Sequence, residues 1–145
     1  MNRLFIGLIL VSLSSCQQPV EENPVGVLGE HAMVVTAHPL ATQAGIRIIE
    51  QGGNAFDAAT TIHFMLAVVY PRAGNIGGGG FAVIRHQDGE IAALDFREMA
   101  PSEASETMYQ DENGDIIKDK STLGHYAPGI PGSVAGIWEL HQKHG

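Results

Sequence analysis

The stretch AFDAATTIHFMLAVVY, residues 55–70, constrains the fold more than any other part of the chain. It is apolar almost all the way round a helical repeat until Pro71 stops it, and such a helix has to be covered on most of its faces. Its small residues permit close packing. Asn54 stands where an N-cap is expected, with Asp57 three residues on, at the positive end of the helix dipole. Asp57 and His63 are the polar exceptions. A catalytic role is one reading of them; the favoured one is a dipole-paired aspartate and a satisfied core histidine.

The neighbouring segments supply candidate partners for this helix. Residues 33–36, in HAMVVTAHP, form a short β-branched run read as a buried strand that ends before Pro39. Pro39 opens an amphipathic helix with Leu40, Ala44 and Ile48 beside Ala41, Gly45 and Ile49, ended by Gly52 and Gly53. After the Gly-rich loop PRAGNIGGGG come strand, turn and strand, with Asp88-Gly89 as the hairpin signal. If residues 91–96 are extended, Ala93, Asp95 and Arg97 share one face and Leu94 and Phe96 the other. Residues 102–131 are acidic and turn-rich, with Asn113-Gly114 a second possible hairpin between residues 108–110 and 116–118. A last helix starts at Pro131, with Val134, Ile137, Trp138 and His141 on one side. Helices interspersed with a hairpin make the fold class α/β (α+β), and 145 residues, 44% of them hydrophobic, suffice for one modest core.

The first residues, MNRLFIGLILVSLSSC, have the order of a secretory signal: Arg3, an apolar run over residues 4–13, then small residues. The apolar run is too short to span a bilayer. Cys16, the sole cysteine, follows Leu13-Ser14-Ser15 in a pattern that resembles the bacterial lipobox. Residues 1–15 are therefore expected to be a lipoprotein-type signal peptide, with lipidation of Cys16 and residues 16–24 as a polar tether; a free thiol near an ordinary cleavage site is the alternative. The expected location is periplasmic or outer, held on a bacterial membrane only through the lipid. A net charge of −8 without a basic stripe argues against a nucleic-acid partner.

Few residues carry chemistry. Gly77, Gly79 and Ala82 formally fit a dinucleotide pattern, but the loop follows a helix and opens a strand, the reverse of what pyrophosphate binding needs. No Gly-Lys-Ser/Thr follows, so the glycines are read as structural, allowing close backbone approach and φ values other residues avoid. The seven histidines include no HExxH and have no cysteine partners, and neither a metal nor a cofactor is expected. No GxSxG elbow is present. Arg97 is the exception, at a strand end between Asp95 and Glu98 in ALDFREMAP. One reading is a structural ion pair. The other is a fork for a ligand carboxylate, with Asp95 or Glu98 holding the guanidinium.

The segments TAHPLATQAG, GGNAFDAA, GNIGGGGF, ALDFREMAP and PGIPGSVAG, in that order, resemble the N-terminal part of bacterial γ-glutamyltransferase (γ-glutamyltranspeptidase, glutathione hydrolase). The resemblance implies an N-terminal-nucleophile hydrolase with an αββα sandwich, made as a proenzyme that cleaves itself into large and small subunits. Residues 25–145 correspond to the beginning of the large subunit. It further implies a threonine nucleophile on the small subunit, outside these residues, and glutathione and other γ-glutamyl compounds as substrates. Arg97 takes the role of the arginine that binds the α-carboxylate of the γ-glutamyl group, and no catalytic residue is expected in this chain. A cephalosporin or glutaryl acylase of the same superfamily, or a non-catalytic lipoprotein binding module, are the alternatives.

Overall fold

The computed structural model describes residues 26–145. The signal peptide, the lipidation of Cys16 and the tether lie outside the described residues. Contacts divide the chain between Met33 and Val34, and every regular element lies in the second unit, Val34–Gly145. Among the described residues no helix is long and apolar enough to cross a membrane.

Helix α1, Pro39–Glu50, starts as the proline predicts, and His38 caps it by accepting the Leu40 N–H through Nδ1 at 3.2 Å. Gly52, at φ +94°, takes the left-handed conformation that ends the helix. Helix α2, Ala55–Val69, follows after a reciprocal capping box. Asn54 Oδ1 accepts the N–H groups of Phe56 and Asp57 at 2.8 and 3.1 Å, and Asp57 Oδ2 accepts the Asn54 N–H at 3.0 Å.

The two helices approach closely through small residues. Ala41, Ala44 and Gly45 are the buried positions of α1, and a Cβ on Gly45 would lie 2.5 Å from Ile62 Cδ1. The cover over α2 is nevertheless partial, for only Ala58 is buried while Phe64 and Val68 are exposed. Its expected burial on most faces is not reached within the described residues.

Strands β1, Phe81–Arg85, and β2, Ile91–Asp95, pair antiparallel with Phe81 opposite Asp95 and Arg85 opposite Ile91. The His86 N–H donates to Glu90 O and the Gly89 N–H to His86 O, a three-residue loop with Gly89 at φ +94°. Helix α3, Ser133–His144, packs across one face of this hairpin and against α2. Ile84, Ile137 and Leu140 form the core there, with Phe56, Ala92, Leu94 and Phe96 packed on it. The other hairpin face, with Phe81, Val83 and Ile91, is exposed.

Three expectations need correction. Residues 33–36 form no strand, and Val35 is exposed, because no segment among the described residues offers a ladder to pair with. The buried face of α3 is Ser133, Gly136, Ile137 and Leu140, while Val134 and Trp138 face outward. Gly136 lies on that face because the helix sits directly on Phe96 there. Around Asn113-Gly114 the turn exists, with Gly114 at φ +87°, but only the single bridge Gln110–Ile116 forms in place of two strands.

Candidate functional site

Arg97 stands where the chain leaves the sheet. Pairing continues one step past β2, since Phe96 N–H donates to Gly80 O at 3.0 Å and Gly80 N–H to Phe96 O at 3.3 Å. It resumes at Met99, which exchanges both backbone hydrogen bonds with Ile130 at 3.1 and 2.8 Å. Arg97 and Glu98 bridge the gap between these two paired stretches.

The glycine run closes over this gap. Gly78 O accepts the N–H groups of both Gly132 and Ser133 at 2.9 Å, fastening the start of α3 to the loop. A Cβ on Gly79 would lie 2.6 Å from Phe96 O and 2.7 Å from Arg97 Cα. At Gly79 backbone meets backbone, whereas a Cβ on Gly78 would meet the Asn75 side chain, one on Gly80 the Phe96 ring, and one on Gly77 nothing within 4 Å. The expected unusual φ values are not found: the positive-φ glycines among the described residues are Gly26, Gly52, Gly89, Gly114 and Gly124. The Phe96 ring fills the space beneath, with Gly80 on one side and Gly136 pressed against its Cβ on the other.

The side chain of Arg97 is left largely free, at 66% exposure. Its nearest carboxylate is Glu98, with Nε 4.0 Å from Oε2, a separation at which exposed charges contribute little. Asp95 does not touch the guanidinium; its Oδ1 accepts the Arg97 backbone N–H at 3.0 Å. The Phe81 ring lies 5.9 Å from Arg97 Cζ, at the outer reach of a cation–π contact. The structural ion pair thus has little to support it, and the guanidinium fork stays open toward solvent. Sequence reasoning placed Asp95 beside the guanidinium and did not find Phe81; the hairpin register, which sets Phe81 opposite Asp95, is the signal that finds it.

Among the described residues the remaining polar groups form no catalytic arrangement. Asp57 Oδ1 meets His141 Nδ1 at 3.0 Å, and Asn54 Nδ2 donates to His144 O at 2.6 Å, so the start of α2 is tied to the end of α3. An open cleft beside them is lined by Ile48, Gln51, Thr60 and Thr61. His63 Nε2 is buried without a hydrogen-bond partner among the described residues, unlike the satisfied histidine expected there. The backbone N–H of Asp115, followed by that of Asn113, holds the Asp111 carboxyl below the ordinary carboxylate range. Among the described residues no group of three or more His, Cys, Asp or Glu is placed to hold a metal.

Known proteins resemble this chain in sequence and in structure. The family model for gamma-glutamyltranspeptidase matches residues 41–145. The glutathione hydrolase proenzyme of Pseudomonas sp. (strain A14) is 45% identical over 148 residues, covering 99% of this chain and 25% of the relative. The crystal structure of Helicobacter pylori gamma-glutamyltranspeptidase superposes with a TM-score of 0.75 at 47% identity, covering 81% of this chain and 34% of that one. The Acylase ACY 1 proenzyme of Pseudomonas sp. (strain SE83) is more distant, 38% identical over 131 residues, covering 86% of this chain and 23% of the relative. The chain spans about a fifth to a quarter of the length of the curated relatives it matches. With its mixed helices and sheet it shares the N-terminal-nucleophile hydrolase fold of those neighbours, and it belongs to the gamma-glutamyltranspeptidase family.

Proposed function

We propose that this chain supplies the substrate-carboxylate half of a γ-glutamyl-transferring active site, with Arg97 as the group that holds the α-carboxylate. The observation that carries this reading is the exposed guanidinium at the end of β2, with no carboxylate closer than 4.0 Å among the described residues. A guanidinium offers a carboxylate two parallel charge-assisted hydrogen bonds, a geometry that an ammonium cannot reproduce.

The reaction is acyl transfer from glutathione or a related γ-glutamyl amide. A threonine hydroxyl, exposed by self-cleavage of the proenzyme and deprotonated by its own α-amine, attacks the γ-carbonyl. The amide C–N bond breaks, an ester to threonine forms, and the leaving amine takes the proton. Water then gives glutamate, or an acceptor amine gives a new γ-glutamyl amide. Arg97 fixes the far end of the donor so that the γ-carbonyl meets the nucleophile in one orientation. In this reading the threonine and the small subunit are supplied by a part of the proenzyme other than these residues.

Anchoring is part of the same proposal: Cys16 carries the lipid that keeps the domain on a bacterial membrane. Radiolabelled palmitate is expected to enter the wild-type protein and not Cys16→Ser, and equal labelling of both removes the anchor.

The deciding experiment is expression of the complete proenzyme with assays for self-cleavage and for hydrolysis of γ-glutamyl and glutaryl anilides. Two subunits and a preference for the γ-glutamyl anilide are expected. A preference for the glutaryl anilide moves the protein to the acylases, and absence of both activities favours a binding module.

A further inference from the structure

We propose that Asp95 is a positioning residue for Arg97, acting through the arginine's backbone and not through its guanidinium. This rests on the reading of Arg97 as the holder of the substrate carboxylate. The ladder that orders the sheet ends with the mutual hydrogen bonds of Phe96 and Gly80, and the next pairing begins at Met99 and Ile130. Between them the Arg97 N–H has one acceptor among the described residues, Asp95 Oδ1 at 3.0 Å. A short acidic side chain that accepts the amide two residues on closes an Asx turn, and so restricts φ at the following residues. The direction of the Arg97 Cα–Cβ bond is thereby set where no ladder sets it.

The arrangement also keeps the fork available. A carboxylate paired with the guanidinium competes with a substrate carboxylate for the same donors. Asp95 is instead occupied by a backbone N–H, and the only other acid close by among the described residues, Glu98, stands at 4.0 Å. From the other side Gly79 comes so near the Arg97 Cα that a side chain there would not fit. The Phe81 ring, on the residue paired with Asp95, flanks the guanidinium at 5.9 Å. Asp95 and Gly79 fix the base of the side chain, Phe81 limits its sweep, and the tip is left to the ligand.

The test compares Asp95→Ala, Asp95→Asn and Arg97→Lys in the complete proenzyme, with KM and kcat measured on a γ-glutamyl anilide and on the 4-aminobutanoyl anilide, which lacks the α-carboxylate. Asparagine keeps an oxygen that accepts the Arg97 N–H and removes the charge; alanine removes both. Asp95→Ala is expected to raise KM for the γ-glutamyl anilide by about tenfold with kcat little changed, and to narrow its advantage over the 4-aminobutanoyl compound. Asp95→Asn is expected to restore KM to the wild-type value or below it, since one negative charge near the bound carboxylate is gone. Equal defects in both Asp95 variants overturn the inference, because the charge and not the backbone acceptor is then what matters. An unchanged KM in Asp95→Ala overturns it too, provided Arg97→Lys raises KM. If Arg97→Lys itself leaves KM unchanged, the reading of Arg97 fails first and the inference falls with it.

Discussion

Arg97 shows how far a single residue can be read. Its strand-end position and acidic neighbours are written in ALDFREMAP, and they allow an ion pair as readily as a ligand fork. What separates the two is where the carboxylates point, which depends on a turn and a register outside the motif. Asp95 faces the same side as Arg97, as alternation along a strand requires, yet its oxygen reaches the backbone before it reaches the guanidinium. Because the fork is exposed and only loosely approached by Glu98, Arg97→Lys in the complete enzyme is expected to act on binding more than on turnover. The lost bidentate contact is worth about 1.5 to 3 kcal/mol, so KM should rise by tenfold or more while kcat falls less. Steady-state kinetics on a γ-glutamyl anilide check this, and a loss confined to kcat would place Arg97 at the reacting carbonyl instead.

At the scale of elements, what is encoded locally was legible and what depends on a partner was not. Pro39, the Asn54 cap and the Gly52 stop act within one turn of chain, and α1 and α2 begin and end where these residues put them. The Asp88-Gly89 signal announces a hairpin but does not choose between a two- and a three-residue loop, and a slip of one residue would exchange the faces of β1 and β2 relative to each other. The face of α3 was missed because apolar residues were taken to mark it, whereas contact with Phe96 demands the small Gly136, and Ser133 is buried beside it. Asp57 joins two elements at once, accepting the Asn54 N–H and meeting His141. Replacing it with alanine is expected to cost about 1 to 2 kcal/mol, measured by chemical denaturation of the complete protein, with Asp57→Asn costing less because it keeps a cap acceptor. The turn at residues 111–115 has a pH dependence of its own. Asp111 titrates below its unfolded value of about 3.9, held down by the backbone N–H groups of Asp115 and Asn113. A depressed carboxyl contributes stability above the unfolded pKa and loses it as pH falls through the folded one. The amide resonances of Asn113 and Asp115 are therefore expected to shift together at a pH below the ordinary carboxylate range, and a titration at the ordinary value would show that these contacts do not persist in solution.

On the scale of the whole molecule, the constraint posed by residues 55–70 is only half met within the described residues. Helix α2 is covered by α1 along one side and by α3 near its start, while Phe64 and Val68 remain exposed. The hairpin repeats the pattern, with Ile84, Leu94 and Phe96 turned to the core and Phe81, Val83 and Ile91 turned to solvent at 66%, 82% and 68% exposure. A strand apolar on both faces belongs to a sheet packed on both sides, which is the layering that an αββα sandwich requires. Trp138 on α3 adds a third uncovered apolar site. Apolar faces left uncovered in this way mark surfaces that pack against something else. Residues 1–145 expressed alone are therefore expected to bind a hydrophobic dye, to self-associate, and to melt over a broad range, whereas the complete proenzyme should bind little dye and melt cooperatively. Calorimetry and dye fluorescence on the two proteins side by side check this. Val83→Thr and Ile91→Thr sharpen the comparison: on the solvent face of the isolated chain they should improve solubility at little cost in stability, and in the complete proenzyme they should destabilise, each by about 1 to 2 kcal/mol. The opposite signs follow only if that face is buried in the whole protein, so a neutral result in the proenzyme would mean that no second layer covers the hairpin.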